Sequence, residues 1–198
     1  MVNIVLGLIF ATYLLIDRDR LRSQLHRLSR QYLPAKLTEK ILYVLRVLNE
    51  SFHNYIVGQF TEAIILGALC ATGMAIFGFP YAAMIGAVVG AMALIPIAGA
   101  YVGGAVGFLL ILTVSPLRAL LFVVYLVVLQ QIEGNLIYPR VVGGSIGLPG
   151  LWVLAAVTVG GGLSGITGML IGVPLTAALY KIVKNDLHRR EAAMRPQA

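Results

Sequence analysis

The sequence predicts an all-α protein of polytopic transmembrane helices, some of them broken or re-entrant. Three observations predict it. Of 198 residues, 59% are hydrophobic and 12% charged, with a mean hydropathy of +0.90, against roughly 45–50% apolar and about 25% charged in a soluble domain. The charges are also segregated. Residues 55–180 hold four (Glu62, Arg118, Glu133 and Arg140), while 17–54 hold twelve and 181–198 hold seven. Finally, prolines and glycines interrupt the long apolar runs. A water-soluble globule is thereby excluded, and so is disorder, because disordered chains are poor in apolar residues.

Taken in order, residues 1–16 are uncharged and read as a partial transmembrane helix, shorter than the roughly 20 residues a crossing needs. It lacks the basic flank of a signal peptide, and the expectation is an internal start with further spans upstream. Residues 17–54 follow as basic amphipathic cytoplasmic helices. Leu21, Leu25, Leu28 and Tyr32 make one stripe, Pro34 interrupts, and Leu37, Ile41, Leu45, Leu48, Phe52 and Tyr55 make a second. Eight Lys/Arg against four Asp/Glu here, and five against two in the basic tail 181–198, predict that both lie in the cytoplasm. The stripes suit the inner membrane surface or a linker packed on itself. The net charge of +7 reflects these loops, and nucleic acid is not an expected partner. His26 and His53 stand alone, so no metal is expected. Cys70 lies in an apolar run as a small packing residue.

Residues 55–180 form the transmembrane transport region. A first full span runs from Tyr55 to Phe77 and ends at Gly78-Phe79-Pro80. Residues 81–114, broken by Pro96, are either one long kinked crossing or a hairpin of half-length helices joined near Pro96–Gly99. Ser115-Pro116 precedes a span over 117–132. After a polar stretch, 148–180 is too short for two crossings, and reads as one tilted span or a re-entrant pair turning at Gly160, Gly161 and Gly162. Parity couples the two choices. Single crossings put 133–147 outside, whereas two hairpins put it inside.

An ionisable group within a span costs at least about 2.5–3.5 kcal/mol at the centre, so each retained one suggests a task, a partner or an edge position. Glu133 is the leading candidate: on a helix it shares a face with Gln130 and Ile137, with Gln131 and Asn135 on the neighbouring face. Such a cluster can hold a cation or proton, or hydrogen-bond a polar solute. Arg140 is expected to pair with Glu133 or with an anionic group, a structural ion pair being the competing role. Glu62, beside Gln59 and Thr61, reads more readily as an interfacial carboxylate than as part of a site. Arg118 is expected to snorkel. Pro96 and Gly99 mark a helix break and Gly160–Gly162 a flexible turn, and the many glycines spaced by four suit close helix packing. No phosphate loop, HExxH, Gly-x-Ser-x-Gly or paired intramembrane aspartates occur, and Ser145 has no base beside it, so neither an enzyme nor a cofactor is expected.

Gln131-Ile132-Glu133-Gly134-Asn135, then Pro139-Arg140-Val141-Val142-Gly143 and Gly147-Leu148, resemble the signature region of the autoinducer-2 exporter family. Gly58-Gln59, Gly78 before Pro80-Tyr81, Ile95-Pro96 with Gly99, and the stretch from Leu151 through Gly160-Gly161, Gly165, Gly168-Met169 and Val173-Pro174-Leu175 match it in order. The match covers the C-terminal part of a usual member. Pro149-Gly150 stands where the family often has His-Pro, and Pro96-Ile97-Ala98-Gly99-Ala100 lacks its aromatic residue and second proline. The resemblance implies an oligomeric bacterial inner-membrane secondary transporter, working on a small polar solute or signal molecule or exchanging sodium for protons. The expected partners are the lipid bilayer, a small-molecule or ion substrate and further copies of the chain. A non-transporting membrane scaffold that docks a cytoplasmic partner is the rival reading.

Overall fold

The computed structural model describes residues 2–32 and 34–194, and it is helical throughout with no strand among the described residues. The chain forms two compact units, 1–46 and 47–198.

In the first unit, α1 (Val2–Ile16) runs almost without interruption into α2 (Arg18–Tyr32), because Asp17 N–H donates to Tyr13 and Leu21 N–H to Asp17. Phe10, Tyr13, Leu15 and Ile16 are exposed, as side chains solvated by lipid would be. The side chains of Leu25, His26, Leu28 and Tyr32 lie outside the described residues. Pro34 ends this segment, and its carbonyl accepts the first turn of α3 (Ala35–Ile76), the helix that leads into the second unit.

The second unit is built on the inner face of α3. Val47, Ser51, Tyr55, Gln59, Glu62, Leu66, Cys70 and Met74 are all buried, at intervals of three or four that stack one above another on a helix. Beyond the turn at Gly78, α4 (Ala82–Ala93) and α5 (Ala98–Leu112) form an antiparallel hairpin. The hairpin reading of 81–114 is therefore the one the fold adopts. Each arm rises only about 1.5 Å per residue, giving roughly 18 and 22 Å, short of the roughly 30 Å hydrocarbon thickness. The hairpin lies tight on α3 because a Cβ on Gly67 would stand 3.0 Å from the Gly86 carbonyl oxygen and 3.1 Å from the Gly90 Cα.

Ser115 caps α6 (Pro116–Ile132), with Pro116 opening the first turn, where its missing N–H costs nothing. Leu66, Cys70 and Met74 of α3, Ile85 and Val89 of α4, Ile111 of α5 and Phe122 of α6 close the main core. The outer side of α6 exposes Leu117, Leu120, Leu121, Val124, Val127 and Val128, an apolar face that suits hydrocarbon as its solvent. Arg118 is exposed and reaches the Gly78 carbonyl at 3.4 Å. Cys70 is fully buried against Met74, as a packing residue.

Past Ile132 the helix widens into two π turns, Glu133–Ile137 and Pro139–Gly143, before the short α7 (Gly144–Ile146). The last helix, α8 (Gly150–Met194), is interrupted: Ser164 and Gly165 leave helical geometry, and Gly165 takes φ 59° and ψ −139°. The chain reverses there, so arms 150–163 and 166–194 run antiparallel. A Cβ on Gly160 would strike the Gly168 carbonyl, and Trp152 meets Tyr180 with ring centroids 6.4 Å apart. Of the two readings of 148–180, the fold shows the pair of arms and not one continuous span. The turn between them falls at Ser164–Gly165 and not at Gly160–Gly162. Gly160 and Gly161 instead form the contact between the arms, while Gly162 faces open space. Stretches 35–76, 116–143 and 150–188 are each apolar enough over their length to cross a membrane, the third with this reversal inside it.

Candidate functional site

Where these pieces converge, a cavity of about 570 Å³ opens. Its wall comes from four places: Gln59, Glu62 and Leu66 of α3; positions between Ala93 and Tyr101 at the hairpin tip; Leu126, Val127, Gln130 and Gln131 of α6, with Glu133, Gly134 and Tyr138 past its end; and Gly150, Val153, Leu154 and Val157 of the first α8 arm. Most of the lining is apolar. Among the described residues the polar side chains of the lining are Gln59, Glu62, Gln130, Gln131, Glu133, Tyr101 and Tyr138, with no Lys, Arg or His.

The α3 side is the most deeply set. Glu62 is 3% exposed and Gln59 4%. Gln59 Nε2 donates to the Ala93 carbonyl at 2.8 Å and to Glu62 Oε2 at 3.2 Å. Ala93 closes α4, and its carbonyl belongs to the turn that a helix leaves without intrahelical partners. Gln59 therefore satisfies a helix end from a neighbouring helix. Its Oε1 has no partner, and neither has the buried Tyr55 hydroxyl, one turn earlier on the same face, nor Gln130 Nε2 across the cavity. A hydrogen bond to a charged group contributes about 1.5–3 kcal/mol, which offsets only part of the cost of a carboxylate in a dry site.

The hairpin tip is strained. Ile97 has φ 64° and ψ −58°, and Ala98 N–H donates to the Pro96 carbonyl at 2.7 Å, the geometry of a γ-turn with positive φ. A β-branched residue is disfavoured there, and such strain persists only where surrounding structure imposes it, commonly at functional sites. Gly99 follows at a point where any Cβ would strike the Met92 carbonyl. Pro96 and Gly99 thus stand at the break that the sequence marked.

On the α6 side, Glu133 opens the first π turn and lies on the cavity wall, within electrostatic reach of Glu62 and Tyr138. Wide turns of this kind recur at functional positions. Pro139 cannot donate an N–H to its own helix, and the two wide turns are closed by the N–H groups of Tyr138 and Gly144, which reach Glu133 and Pro139 five residues back.

The five polar residues singled out from sequence therefore part company. Glu62 and Glu133 share the cavity, Glu62 as a buried wall residue. Gln131 reaches the wall from an exposed position, and it accepts from Asn135 Nδ2 at 3.2 Å. Asn135 lies outside the lining. So does Arg140, which is exposed and bonds the Leu136 carbonyl at 3.0 Å; among the described residues no ion pair joins it to Glu133. Gly160–Gly162 also lie away from the wall. Gln59 and Tyr138 were not singled out as site residues. For Gln59 a signal existed, since it falls in register with the core residues Tyr55, Leu66 and Cys70.

The profile described as "AI-2E family transporter" matches residues 1–187. The chain is 34% identical over 146 residues to "Putative transport protein YrrI" of Bacillus subtilis (strain 168), covering 74% of this chain and 41% of that protein. It is 29% identical over 182 residues to "Putative transport protein YueF" of the same organism, covering 92% and 48%. A protein of Synechocystis (strain PCC 6803), also bearing the words "Putative transport protein", is 32% identical over 178 residues, covering 88% and 42%. The chain thus spans less than half the length of these relatives. No solved structure matches it.

Proposed function

The chain belongs to the AI-2E family of transporters, and we propose on that premise that this region moves a small polar solute by secondary transport, with Glu62 and Glu133 holding a coupling proton or cation. The observation that carries the reading is the cavity wall: two carboxylates without a side-chain counter-charge, set where broken helices end. Uncompensated like charges in a low-dielectric site favour uptake of a positive charge. Buried polar atoms left unpartnered at Gln59, Gln130 and Tyr55 are suited to a solute's own hydrogen-bonding groups. Helix ends and unwound backbone near mid-depth are a recurrent way to build such a site.

The membrane is the bacterial inner membrane in this reading, with the C-terminal tail cytoplasmic. Two re-entrant hairpins make α3 and α6 the full crossings between 47 and 146, and leave 133–147 on the cytoplasmic side with the two basic segments, in keeping with the positive-inside rule. Further copies of the chain are proposed to cover part of the exposed apolar faces. Sodium/proton exchange without another solute is the second reading, favoured by the same two carboxylates.

Flux in proteoliposomes tests both. Glu133→Gln and Glu62→Gln are each expected to cut gradient-driven flux at least tenfold while membrane insertion stays normal. Unchanged flux in both variants would remove the carboxylates from the mechanism, and flux of no solute or ion in the parent would favour the scaffold reading. Imposing sodium and proton gradients with and without organic solutes separates the two transport readings.

A further inference from the structure

The amide of Gln59 uses both of its hydrogens, one on the α4–α5 hairpin and one on Glu62, while its oxygen points into buried space without a partner. This fixes its orientation. Both neighbours are acceptors, so flipping the amide would set oxygen against oxygen at each contact. The grip on Ala93 is thus made by the same group that senses the Glu62 carboxylate. It acts four residues before the strained turn at Ile97, where backbone strain persists only while surrounding contacts impose it.

We propose that Gln59 is a positioning residue that ties the hairpin tip to the charge state of Glu62, an inference that rests on reading Glu62 as the group that takes the proton or cation. With Glu62 anionic and empty, the carboxylate accepts from Nε2 and holds the amide in its gripping orientation. A proton on Glu62 turns that oxygen into a donor, and the unpartnered acceptor on the amide that touches it is Gln59 Oε1. A bound cation draws on the same oxygen for coordination. Either event favours rotation of the amide and frees the Ala93 carbonyl, releasing the tip. The titratable groups around the cavity are Tyr55 on the same helix, Glu133 and Tyr138 from the wide turn that follows α6, and Tyr101 from α5, while the first α8 arm contributes apolar side chains. Glu133 therefore raises the demand for positive charge at Glu62 without competing for the amide.

The test is a pair of nitroxide labels at Ile97→Cys and Leu120→Cys in the reconstituted protein, both sites being exposed and native Cys70 sealed. The distance distribution is read in a pH titration at fixed sodium and in a sodium titration against choline at fixed pH. The parent should shift between two distances in at least one titration, which also says whether proton or sodium is the trigger. Gln59→Leu should abolish the shift and hold the released distance, and Glu62→Gln should abolish it too. Should Gln59→Leu fail to insert, Gln59→Asn, too short to span both acceptors, should give the same loss. A shift that survives in an inserted Gln59 variant but disappears in Glu62→Gln overturns this inference alone. A shift and a flux that both survive Glu62→Gln overturn the reading of Glu62 beneath it. A parent distance that never moves also overturns the inference.

Discussion

At the scale of single residues, three glycines in a row carry different loads. Gly160 and Gly168 face each other with backbone in contact, and a methyl group at either would strike the other's carbonyl. Gly162 has nothing within 4 Å of where its Cβ would be. Gly160→Ala is therefore expected to lower stability by about 1–3 kcal/mol through overpacking, whereas Gly162→Ala should be neutral, or stabilising by up to about 1 kcal/mol from helix propensity. Thermal unfolding in detergent followed by circular dichroism checks both. A drop in melting temperature for Gly162→Ala equal to that of Gly160→Ala would contradict the arm-to-arm contact. From sequence all three read as a turn, since glycine marks turns in water. In lipid, however, helices gain little by burying apolar surface, and small residues serve the interface. Both cavity carboxylates drew notice in the sequence, because an acid in a span stands out by its cost, although Glu62 read more readily as an interfacial group than as a neighbour of Glu133. The position of Arg140 was not legible. Seven residues after Glu133, it would share its face on a regular helix, but the π turn at Glu133–Ile137 intervenes and shifts the register.

Elements raise a different question, how a run of apolar residues folds back. The α8 reversal depends on Gly165, whose backbone angles lie where residues with a Cβ are strained. Gly165→Ala is expected to cost about 1–3 kcal/mol although no neighbouring atom would touch the new methyl group. The sole tryptophan, Trp152, sits against Tyr180 across this hairpin, so its emission reports whether the arms stay together. A lower thermal midpoint by Trp152 fluorescence than in the parent is the expected result, and an unchanged midpoint would argue that the turn is made elsewhere. Nothing in the sequence could choose a hairpin over a crossing for 81–114. A proline in an apolar run is compatible with both, and the deciding contacts, Gly103 to Val89 and Gly107 to Ile85, form between the two arms only once the chain has folded back.

For the whole molecule, composition and charge segregation were enough to give the class, because a bilayer imposes helices on any open chain that spans it. Sidedness is the property that two hairpins change. Single cysteines at Gly144 and Lys184 are expected to react with a membrane-impermeant thiol reagent from the same side, and one at Val114 from the opposite side. The parent should stay unlabelled, since Cys70 is 0% exposed. Reaction of the Gly144 and Lys184 positions from opposite faces would restore the single-crossing arrangement.

The hairpins also bear on how such a chain can move. In the proposed topology, a pair of arms fastened at one face only can slide in depth, like a bolt in its housing, without hauling a hydrophilic connector through the oily interior. Only α3 and α6 need stay fixed, and the small-residue tracks beside Gly67 and Gly90 leave few protruding groups to obstruct the travel.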